Sequence, residues 1–125
     1  MASTTERAHR FRFRHHYIDT AAPGQYYGQT ALADVDGDGR LEFITGQRYG
    51  DIFWYDWEPP GRWTRHLLGH ESPSDVGGVA IDVDGDGWVD FVAGGAWYRN
   101  SRNPLVPFTR FFFDDVPGVH DVVAA

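Results

Sequence analysis

The chain has 125 residues, 42% of them hydrophobic, with no cysteine and a formal net charge of −7. That is enough apolar material for one ordinary domain, and it excludes a disulfide scaffold, thiolate metal ligation and, since no run approaches eighteen apolar residues, a helical membrane span. Eight of the 18 acids fall in two short segments, without which the balance would be +1, and the 11 basic residues, all arginine, are dispersed, so no basic face for nucleic acid is expected.

Residues 1–10 are polar, lack the apolar centre of a secretory signal, and read as a flexible segment. The alternating stretch "RFRFRHHYID" then predicts an outer strand over 11–19. "GQTALADV" leads into the first acidic loop, followed by "LEFITG", the aromatic "GDIFWYDW", a Pro-Pro-Gly turn and "RWTRHLLG"; together these predict one four-stranded unit over about 28–69. The order then repeats as "GGVAIDV", a second acidic loop, "WVDFVAGG", "GAWYRN" and "FTRFFFDD", a second unit over about 76–115. "VHDVVAA" reads as the start of a third, over 118–125. Short strands separated by Gly, Pro and Asp, without a helical period, predict an all-β chain of β-propeller blades, each of four antiparallel strands.

The loops "DVDGDGRLE" and "DVDGDGWVD" can be read ligand by ligand. Counted from the first aspartate, carboxylates fall at positions 1, 3, 5 and 9: Asp34, Asp36, Asp38 and Glu42, then Asp82, Asp84, Asp86 and Asp90. Glycines at 4 and 6 let the backbone curl, and position 7, Arg40 or Trp88, can offer a backbone carbonyl. Such an all-oxygen set suits a hard cation of variable coordination, so two Ca2+ sites are expected rather than Mg2+. An EF-hand is excluded by spacing, because its closing carboxylate at position 12 would be Thr45 or Ala93.

With these residues in view, the chain resembles FG-GAP/VCBS-type repeats, the calcium-loop propeller blades also found in integrin α heads and many bacterial extracellular proteins. "DVDGDGRLEFITG" and "DVDGDGWVDFVAGG" carry the likeness, with "WYDWEPPGRWTRHLL" and "WYRN" resembling the strands that follow. The resemblance implies that each acidic loop joins a blade's innermost strand to its second and binds calcium through the eight carboxylates named; Glu42 departs from the usual Asp. It also implies rings of six to eight blades, roughly three times this length. The chain is therefore expected to be a fragment or a protomer whose partners are other blades, in a longer parent chain or in a homo-oligomer.

Other chemistry is sparse. There is no G-x-S-x-G, no thiol nucleophile and no phosphate loop, and Glu71, Asp75 and Asp121 form no recognisable acid/base pair. His15 and His66 read as packing residues, and His70, His120 and Tyr27 are weak catalytic candidates. Tyr26, Tyr27, Trp57, Trp63 and Trp97 could stack on sugar rings, although Trp97, Trp54 and Tyr55 read better as filler between sheets. The reading that emerges is a calcium-stabilised, non-catalytic scaffold or binding module for protein or glycan. The alternative is part of a propeller enzyme acting on carbohydrate, of the polysaccharide lyase or sugar dehydratase type. Loops of this kind hold calcium at extracellular concentrations, so an extracellular or periplasmic parent protein is expected, on a signal outside this chain.

Overall fold

The computed structural model describes residues 10–73, 76–115 and 119–125. Eight strands form: β1 (Tyr27–Ala33), β2 (Glu42–Gln47), β3 (Ile52–Glu58), β4 (Arg62–Gly69), β5 (Val79–Ile81), β6 (Asp90–Ala93), β7 (Ala96–Arg99) and β8 (Thr109–Phe112). They make two antiparallel meanders, β1-β2-β3-β4 and β5-β6-β7-β8, and no helix occurs among the described residues. These are the two blades that the repeat predicts. They do not close a ring.

Strand chemistry places the core between the blades. β3 is "IFWYDWE", and alternation sends Ile52 and Trp54 to one face and Phe53 and Tyr55 to the other. The first pair joins Ile44 and Leu68 in a cluster with Phe91, Ala93, Ala96, Tyr98 and Phe108 of the second blade. β1 and β5, the first strands of the two blades, are the ones that approach each other. Backbone bonds also cross, from Phe108 N–H to the Leu68 carbonyl at 2.7 Å and from Ser72 N–H to that of Gly50 at 2.9 Å. Gly69 lies directly on the Tyr98 ring, where any side chain would collide with it.

The opposite face of blade one is covered by its own N-terminal segment. The Tyr55 hydroxyl donates to Asp19 at 2.9 Å, and Arg65, its neighbour across the sheet, donates to the same carboxylate at 2.8 Å and to the Ala21 carbonyl at 3.2 Å. Blade two repeats this with the inter-blade linker. There Tyr98 donates to the His70 carbonyl at 2.8 Å, and its neighbour Arg110 donates to the carbonyls of His70 and Glu71 at 3.1 and 3.2 Å. Residues 19–21 thus cross blade one as residues 70–71 cross blade two.

Blade two leaves one face open. The cross-strand row Val79, Val92, Trp97, Phe111 points away from blade one, with the Trp97 and Phe111 rings 5.0 Å apart. Its counterpart in blade one is the row Ala31, Ile44, Trp54, His66, in which Trp54 stacks on His66 at 4.2 Å and is only 2% exposed. One row is buried by a blade; the other, with Val79, Val92 and Trp97 half-buried and Phe111 exposed, has no blade against it among the described residues.

Two expected strands are corrected. Residues 11–19 and 119–125 form no strand. An outer or inner strand is held by the hydrogen bonds of the rest of its blade, and the described residues contain no further blade to supply them. Residues 1–9 and Gly118, and with them most of the expected flexible segment and the start of the expected third blade, lie outside the described residues, as does Asp75.

Candidate metal centres

Each acidic loop connects the first and second strands of its blade, and the two fold alike. Asp34 accepts from the N–H groups of Gly37 and Gly39 at 2.8 and 2.9 Å, and Asp82 accepts from those of Gly85 and Gly87 at 2.8 Å each. The four glycines have φ between 74° and 87°, the left-handed region that a tight acidic curl requires. Asp36 and Asp84 accept from the N–H of Asp38 and Asp86 at 3.1 and 3.3 Å, and Asp38 and Asp86 from those of Arg40 and Trp88 at 2.8 and 2.9 Å. The position-9 carboxylate reaches back to the loop's entrance, Glu42 to Val35 N–H at 2.6 Å and Asp90 to Val83 N–H at 3.0 Å.

The remaining oxygens separate the loops. In the first, ligand atoms of Asp34, Asp36, Asp38 and Glu42 all lie within 4.8 Å of one another; in the second only those of Asp82, Asp84 and Asp86 do. Glu42 is 1% exposed and its Oε1 has no partner, whereas the second oxygen of Asp90 accepts from Asn100 N–H at 2.8 Å. Burial, reinforced by the charges of Asp36, Asp38 and Asp34, pushes the Glu42 carboxyl up to about 7. Burial also raises Asp36, with repulsion from Asp38, Asp56 and Asp34 adding to it.

Arginines decide the second loop. Arg99 Nε donates to Asp84 at 2.7 Å, and Arg102 donates to Asp86 at 2.7 Å, with Arg99 3.6 Å from that same oxygen. The hydrogen bond from Arg102, helped by Trp88 N–H, holds the Asp86 carboxyl below its ordinary range. In the first loop Arg40 contacts Asp38 at 2.6 Å. Asn100 ties the loops together, its amide donating to the carbonyls of Val35 and Val89 at 2.9 and 2.8 Å. Sequence reading had passed over Asn100, Arg99 and Arg102. Their signal was a break in the repeat, since blade one has Asp56 and Trp57 where blade two has Arg99 and Asn100.

Residues 34–93 match the family model of the FG-GAP-like repeat. This stretch belongs to the FG-GAP-like repeat family. No curated protein and no solved structure gives a match. The matched stretch runs from the first residue of the first acidic loop to the end of β6, so the FG-GAP-like segment includes both acidic loops.

The weak catalytic candidates do not converge. His70 Nδ1 lies 2.7 Å from Asp51 Oδ1, beside a shallow cleft lined by Glu71, Tyr98 and Arg110. The Tyr27 hydroxyl donates to the Pro23 carbonyl at 2.5 Å, and His120 lies 3.4 Å from Asp121. His66 packs on Trp54 and His15 lies against Tyr17. Trp57 and Trp63 face each other across β3 and β4 at 6.4 Å.

Proposed function

We propose that this chain is a calcium-stabilised propeller module, a non-catalytic scaffold or binding unit for protein or glycan that stacks on further blades. The observation that carries the reading is the buried, unpartnered Oε1 of Glu42 beside three aspartates. Two carboxylates about 4 Å apart repel by roughly 4 kcal/mol at an effective dielectric of 20, and a divalent cation reverses the sign of that term. Asp34, Asp36, Asp38, Glu42 and the Arg40 carbonyl would hold it in the first loop. Asp82, Asp84, Asp86, Asp90 and the Trp88 carbonyl are the corresponding set in the second. Calcium at such loops is filled outside the cell and not in resting cytosol, which favours an extracellular or periplasmic parent protein.

Partners of the blade type are supported by the open Val79–Val92–Trp97–Phe111 row, the counterpart of a row that blade one buries, and by residues 19–21, which follow the course of an inter-blade linker. Those partners are blades of a longer chain or of further copies. Light scattering of the chain alone reads the second case: a compact monomer stable to dilution excludes it.

The calcium test is thermal. At a free concentration 100 times the dissociation constant, calcium stabilises the folded form by about 2.7 kcal/mol, which raises Tm by roughly 10 °C. Identical melts in calcium and in chelator, for protein shown to be folded, defeat the proposal.

The carbohydrate-enzyme reading has one observation in its favour, the His70–Asp51 pair beside the Tyr98–Arg110 cleft. Release of unsaturated products from a panel of acidic polysaccharides would put it first.

A further inference from the structure

We propose that the two acidic loops are functionally unequal: the first takes the divalent cation, and the second is held closed by Arg99 and Arg102, whose guanidinium groups occupy the carboxylate oxygens a cation would need. The inference rests on the calcium reading above and assigns it to one loop.

Inequality is visible oxygen by oxygen. Asp34 and Asp82 are both spent on two glycine N–H groups, and Asp82 also accepts from Asp86 N–H at 3.2 Å. In the first loop, however, two carboxylate oxygens remain without a partner among the described residues: Asp36 Oδ2 and Glu42 Oε1. Their counterparts are both engaged, Asp84 Oδ2 by Arg99 and Asp90 Oδ1 by Asn100 N–H. Asp86 and Asp38 do not differ in this respect: Trp88 N–H and Arg102 take the two oxygens of Asp86, and the N–H and guanidinium of Arg40 take those of Asp38, so the inequality lies at the third and ninth positions. A cation entering the second loop must displace two charge-assisted bonds of 2.7 Å and then sit beside two positive groups.

Part of the cause is one strand position. Arg99 follows Trp97-Tyr98 on β7 and pairs with Thr109; Asp56 follows Trp54-Tyr55 on β3 and pairs with Thr64. The same place therefore carries a guanidinium over the second loop and a carboxylate near the first, where Asp56 Oδ1 is itself buried without a partner. Blade one adds negative charge to its loop. Blade two cancels it.

Titration calorimetry of the full chain with calcium chloride tests this. The unmodified chain should take one ion, with a second event at least tenfold weaker or absent, and Asp36→Asn should remove the tight ion. Arg99→Gln with Arg102→Gln should add a second ion at least tenfold tighter than before. The reverse exchange, Asp56→Arg, keeps the test decisive if that double variant does not fold, and should weaken the first ion at least tenfold. Two equal ions in the unmodified chain overturn the inequality and leave the calcium reading standing, as does loss of the tight ion in Asp84→Asn but not Asp36→Asn. Absence of calcium heat in every folded variant overturns both.

Discussion

Replacing Asn100 with Ala removes the side chain that joins the two loops. Its amide serves the carbonyls of Val35 and Val89 at 2.9 and 2.8 Å, and its Oδ1 accepts from Arg102 N–H at 2.8 Å. Val35 is 2% exposed, so its carbonyl has little route to water once the amide is gone. Leaving a buried carbonyl unsatisfied costs about 1–2 kcal/mol, and the half-exposed Arg102 N–H rehydrates at smaller cost, so the total is about 3 kcal/mol. For a domain of this size that corresponds to a fall in Tm of roughly 10 °C. Urea unfolding at fixed calcium is the assay, with Asn103→Ala as control, since the exposed Asn103 bonds only within its own loop and should cost under about 1 kcal/mol. A loss below about 1 kcal/mol for Asn100→Ala would show that the amide does not couple the blades.

Three further outcomes are expected. Metal-free protein should lose stability as pH rises: the folded state holds the Glu42 proton up to about 7 against 4.5 for the free side chain, so the loss develops between those values, totals on the order of 2–3 kcal/mol, and is complete above them. Chemical denaturation across pH 5–8 reads this, and Glu42→Gln should flatten the profile. Tyr98 and Tyr55, both pushed up to about 12 chiefly by burial, should cause a second loss as pH climbs from 10 towards 12; Tyr98→Phe should remove its own share, leaving that of Tyr55, and cost about 1 kcal/mol at neutral pH for the bond to the His70 carbonyl. Trp54→Ala should cost roughly 3–5 kcal/mol and Trp97→Ala distinctly less in the isolated chain, although both occupy the same repeat position, because only Trp54 has a blade against it; equal losses in thermal melts would contradict this placement.

The acidic loops were legible because their chemistry is local. Carboxylates at odd positions and glycines between them fix a curl whatever surrounds it, and the structure gives both copies the same hydrogen bonds. The strands were legible for a related reason, since "IFWYDWE" is rich in aromatic residues and is joined to "RWTRHLLG" by a Pro-Pro-Gly turn that Gly61 N–H closes onto the Glu58 carbonyl. What sequence could not supply came from across the sheet. Arg99 at the end of β7 and Arg102 in the loop after it reach Asp84 and Asp86, and Asn100 bonds a residue 65 positions away. "RFRFRHHYID" failed in the opposite sense: it alternates as a strand should, but alternation describes a side-chain pattern and strands exist only as pairs.

The blades also have unlike faces. The row through Ile44 and Trp54 fits the face of Phe91 and Tyr98, so a blade's trailing side is shaped for a leading side and not for a second trailing side. Association through these faces is directional, without the two-fold axis that lets most pairs of proteins satisfy each other and stop. A unit joined at the Trp97 side presents a new Trp97 side. Growth of such an array ends only where its last face meets its first, so the turn angle between successive blades separates a closed ring from an open fibre.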